Sequence, residues 1–71
     1  MTKVLKEDVF KEIVSLIEKG DYTLAQKMLR IISKSIQEEK ANGTYSDYLV
    51  LSNRKEELLF QKLINKQGKN Q

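Results

Sequence analysis

The side chains able to do chemistry here are carboxylates, amines, hydroxyls and phenols, because the chain contains neither His nor Cys. That removes the commonest general base, the commonest zinc ligands and every thiol nucleophile. The carboxylates come as neighbours: Glu7 with Asp8, Glu38 with Glu39, Glu56 with Glu57. Adjacent residues on a helix point about 100° apart, so these pairs do not converge on one metal or one bond. They read as solvated charge. Gly20, Gly43 and Gly68 stand singly and build no phosphate-cradling loop. The chain is therefore expected to be no enzyme, with no catalytic residue, metal, cofactor or small-molecule substrate.

The amines are more suggestive. Lys27, Arg30 and Lys34 are spaced at three and four, so they share one helix face and could meet phosphates. Arg54, Lys55 and Lys62 do something similar later in the chain. Net charge is only +3, with both signs interspersed, whereas a strong nucleic-acid binder clusters its bases more densely. Glu38 and Glu39, closing the same stretch as Lys34, would repel phosphate. Lys27, Arg30 and Lys34 thus form the alternative, nucleic-acid-binding set. The phenols Tyr22, Tyr45 and Tyr48 suit either helix starts with wet hydroxyls or an interface core.

These groups must be held by helices. Pro is absent, and the glycines punctuate the chain into helices over Lys3 to Lys19, Tyr22 to Ala41 and Ser46 to Lys66. In the first, Leu5, Val9, Phe10, Ile13, Leu16 and Ile17 recur at three and four, with Val14 at the edge. Thr2 can cap its start, and Gly20 can end it in a left-handed conformation. Asp21 can cap the second helix, whose apolar residues Tyr22, Leu24, Ala25, Met28, Leu29, Ile31, Ile32 and Ile36 fill one broad face. The short junction between them demands an antiparallel hairpin. Asn42 or Gly43 can stop the second helix, and Thr44 or Ser46 can cap the third.

Val9, Ile13, Leu16, Gly20, Asp21, Tyr22, Ala25, Leu29 and Ile32 give this half of the chain a pattern that resembles a single tetratricopeptide-like hairpin. Ala25 stands for the small residue at the closest helix approach. The early Trp and terminal Pro of that repeat are missing, and no second copy follows, although such arrays need about three repeats. The resemblance implies peptide or protein binding.

On a third helix, Tyr48, Leu49, Leu59, Phe60, Leu63 and Ile64 share a face, which Ser52 and Glu56 interrupt. Leu51 and Leu58 form a second stripe beside Arg54 and Lys62. A helix packed on only two others has no use for that stripe. Tyr48, Leu51, Arg54, Lys55, Leu58 and Lys62 are accordingly the expected protein-binding set, facing a larger protein or a second copy.

The expected fold is all-α: three helices, an N-terminal antiparallel hairpin plus a long third helix, as one small domain over residues 1–66 with a disordered polar tail at 67–71. No apolar run nears the roughly 18 residues that span a bilayer, and the first residues lack the apolar core of a signal peptide. The expectation is a cytoplasmic interaction module of adaptor, inhibitor or antirepressor type, homodimeric or bound to another protein.

Overall fold

A computed structural model describes residues 2–68; for 67 and 68 it describes the backbone alone. The chain runs β1 (Thr2–Leu5), α1 (Lys6–Lys19), α2 (Tyr22–Asn42), β2 (Tyr48–Leu51), α3 (Arg54–Leu59) and α4 (Gln61–Gly68). β1 and β2 pair antiparallel, with Thr2 opposite Leu51, Lys3 opposite Val50, Val4 opposite Leu49 and Leu5 opposite Tyr48. The chain is mostly helical, but the expected set of three helices and nothing else is wrong at both ends. The first helix begins at Lys6 rather than Lys3, and the third is replaced by a strand and two short helices.

The hairpin forms for the expected reasons. Gly20 adopts φ 86°, its N–H bonding the Ile17 carbonyl and the next N–H, of Asp21, the Leu16 carbonyl. Those two bonds satisfy carbonyls that a helix end otherwise leaves bare. The Asp21 carboxylate then accepts from the Leu24 N–H at 3.4 Å and starts α2. Gly43 repeats the device at the far end, with φ 68° and the Thr44 N–H on the Glu39 carbonyl.

The strand replaces the helix because Tyr48-Leu-Val-Leu51 obeys a period of two. Leu49 and Leu51 point into the core, while Tyr48 and Val50 face out. Read at 100° per residue, the same four positions look apolar all the way round. β1 matches with Val4 inward, and Thr2 caps no helix: its hydroxyl donates to the Glu57 carboxylate at 3.1 Å. The expected caps Thr44 and Ser46 start no helix either. Asn53 does, accepting from the Glu56 N–H at 2.9 Å, while the Glu56 carboxylate accepts from the Ser52 N–H at 3.2 Å. This reciprocal pair resembles a capping box. It also explains why Ser52 and Glu56 interrupted an apolar face: they are a helix start.

α3 passes into α4 at Phe60, a buried residue with φ −100° and ψ 16°. α4 packs against β1. The core gathers Val4, Val9, Ile13, Leu16, Ala25, Met28, Ile32, Leu49, Leu51, Phe60 and Leu63, drawn from every element but α3. Of the expected tail at 67–71, the backbone of 67 and 68 is helical and continues α4; 69–71 lie outside the described residues.

Candidate protein-interaction surface

The expected protein-binding set does not assemble. Leu51 is 0% exposed, an inward residue of β2, whereas Leu58 is 56% exposed on α3. They belong to different elements, so the stripe that joined them does not exist. Tyr48 points outward from the sheet. Arg54 pairs with Glu57 at 3.7 Å, and Lys62 reaches back to Glu12 on α1 at 3.5 Å. Leu58 keeps Arg54 and Lys55 as helical neighbours at i−4 and i−3.

The alternative basic set is partly brought together. Lys27 and Arg30 line a cleft of about 380 Å³ with Ile31 and Leu59, and α3 adds Lys55. Arg30 and Lys34 line a neighbouring cleft of about 660 Å³. Glu56 lines both clefts, and Glu38 and Glu39 line the second. The anions that would repel phosphate therefore sit among the cations.

One polar cluster is built deeply, and the sequence pattern does not announce it. Lys6 is only 3% exposed. Its ammonium pairs with Glu39 Oε1 at 2.6 Å, donates to the Ser46 carbonyl oxygen and lies 4.0 Å from the centre of the Tyr45 ring. Glu39 also accepts from the Ser35 hydroxyl at 2.7 Å and the Ser46 N–H at 3.2 Å. The Lys6 hydrogen bond, then those from Ser35 and Ser46, hold the Glu39 carboxyl down from 4.5 to about 2, against the opposing pull of burial. The Lys6 N–H donates to the Asp47 carbonyl at 2.8 Å. The cluster thus ties the start of α1, the end of α2 and the segment leading into β2 into one knot. No buried side-chain nitrogen or oxygen among the described residues is left without a partner, so the cluster reads as a fastening between segments. Among the described residues, no three His, Cys, Asp or Glu side chains come together as metal ligands would.

The feature that stands open is apolar. α1 carries more oily side chains than the core takes: Val9, Ile13 and Leu16 are buried, but Phe10, Val14 and Ile17 are not. Across the hairpin, Tyr22 and Leu29 of α2 are exposed as well. These five side chains are 42% to 60% exposed. Ile13, Ile17, Tyr22, Ala25, Gln26 and Leu29 line one shallow groove of about 240 Å³. Phe10 and Val14 continue the surface along α1, edged by Glu7 and Lys11, which pair at 3.4 Å. The signal for it lay in the width of the apolar arc on the first helix, with Val14 at its margin.

No family model matches the chain, and no curated protein or solved structure matches it. The tetratricopeptide-like pattern is therefore carried by its residues alone. The hairpin places Val9, Ile13, Leu16, Ala25 and Ile32 inside, leaves Tyr22 and Leu29 exposed, and is followed by a strand rather than a further repeat.

Proposed function

We propose that the chain is a small non-enzymatic interaction module, of adaptor, inhibitor or antirepressor type, that meets a protein partner through the outer face of the α1–α2 hairpin. One observation supports this reading above the others: Phe10, Val14, Ile17, Tyr22 and Leu29 form an exposed apolar surface on two adjoining helices. Each of the five is 42% to 60% exposed, and a contiguous apolar patch on a monomer is often functional. The edge of the surface is polar, through Glu7, Lys11, Glu18 and Gln26, as an interface rim requires. The surface replaces the Leu51–Leu58 stripe, half of which is core. A polyanion-binding reading of Lys27, Arg30, Lys34 and Lys55 is the weaker one, because Glu38, Glu39 and Glu56 line the same clefts. Absence of Cys suits a reducing compartment, and we place the module's action in the cytoplasm.

Site-specific photo-crosslinking in the source cell tests the proposal. A benzophenone side chain at Val14 should give a discrete adduct of defined mass, whereas the same group at Asp8, on another side of α1, should give none. Equal, diffuse labelling at both positions would exclude the hairpin face as a specific surface.

A further inference from the structure

We infer that the occupant of this surface is a second copy of the chain, packed antiparallel along α1 about a two-fold axis that passes between Val14 and Ile17. The inference rests on the hairpin face being an interface, and it names the partner.

Three observations lead to it. The first is spacing. Phe10, Val14 and Ile17 are separated by four and then three residues, the seam of two helices crossing at about 20°. The second is charge. Lys11 and Glu18 are both exposed, both follow a seam residue directly, and so flank the seam on one side. In an antiparallel pair that side of one helix faces the same side of the other, so Lys11 of each copy meets Glu18 of the second copy, twice by symmetry. A parallel pair would instead set these positions against the opposite flank, where Ile13 and Leu16 already belong to the core. A two-fold interface must be complementary to itself, and this edge is.

The third observation is area. A standard interface buries about 800 Å² per partner, of which a little over half is apolar. Phe10, Val14, Ile17 and Tyr22, each 42% to 60% exposed, are the large apolar side chains that the core of such an interface needs. The packing sets Val14 against Ile17 of the second copy and brings Phe10 to its Tyr22. That gives the exposed phenol ring an aromatic neighbour and leaves its hydroxyl at the wet edge.

Sedimentation equilibrium on the purified chain tests the inference. The expected result is a dimer with a dissociation constant below about 100 µM, given an interface at the small end of the standard range. Val14→Glu should yield a monomer with unchanged far-ultraviolet circular dichroism, since Val14 lies outside the core. Lys11→Glu and Glu18→Lys should each weaken association about tenfold by setting two pairs of like charges together, and the double reversal should return it to within about threefold of the starting value. A chain that stays monomeric at 1 mM (roughly ten times that limit), or a Val14→Glu variant that stays dimeric, would overturn the dimer. Failure of the double reversal to restore association would overturn the antiparallel pairing. A monomeric chain whose Val14 still crosslinks to a different protein removes the second copy while leaving the interaction module intact; diffuse crosslinking removes both.

Discussion

Lys6 and Glu39 show how much one contact can carry in a chain of 71 residues. A buried ammonium needs its charge answered, and Glu39 answers it at 2.6 Å while holding Ser35 and Ser46 as well. Lys6→Met removes a charged hydrogen bond and should cost about 2 kcal/mol near neutral pH, a large share of a small domain's stability. The Glu39 carboxyl is depressed from 4.5 to about 2. A depressed carboxyl stabilises the fold fully above its unfolded value and ceases to do so as pH falls through its folded value. Urea titrations at pH 6, 4.5, 3 and 2 should therefore show the native chain losing stability across the lower part of that series (about 4.5 to 2). Glu39→Gln should be less stable at pH 6 and flatter below 4.5. Equal pH slopes for the two proteins would mean that the knot contributes little.

At the scale of elements, Leu51 and Leu58 separate the strand from the helix it was expected to be. On one continuous helix they would lie on a common stripe and respond alike to truncation. As an inward residue of β2, Leu51 fills the core, and Leu51→Ala should cost about 3 kcal/mol. Leu58 stands in solvent on α3, and Leu58→Ala should cost less than about 0.5 kcal/mol. Denaturant midpoints of the two variants decide the point. The hairpin, by contrast, is legible in the sequence itself. Gly20, Asp21 and Gly43 are local punctuation, each acting within a few residues of itself, so a reading along the chain finds them. β1 was not legible: its partner lies beyond both long helices, and no four-residue window shows that Thr2–Leu5 will be paired.

For the molecule as a whole, the balance between core and surface governs behaviour. A domain this small buries few side chains, and α1 and α2 supply more apolar ones than the interior admits. Association would cover the surplus and link stability to concentration. The melting temperature should accordingly rise by several degrees between about 5 and 500 µM protein, a shift expected of a small domain gaining 1–2 kcal/mol. Val14→Glu should melt at one temperature throughout. No described helix is long and apolar enough to cross a membrane.

The residues alone determined the hairpin, its two glycine stops, the Asp21 cap and the predominance of helix, because these follow from short-range sterics and from a repeat of three and four. They suggested a surplus of apolar side chains but put it on a third helix, at Leu51 and Leu58, and Leu51 is core. Which ones remain outside was decided only by the tertiary structure. Pairing of Thr2–Leu5 with Tyr48–Leu51 brings Val4, Leu49 and Leu51 into the core, while Phe10, Val14 and Ile17 stay outside it. Burial is a competition among distant segments for one volume, and its outcome is not written in any single stretch of the chain.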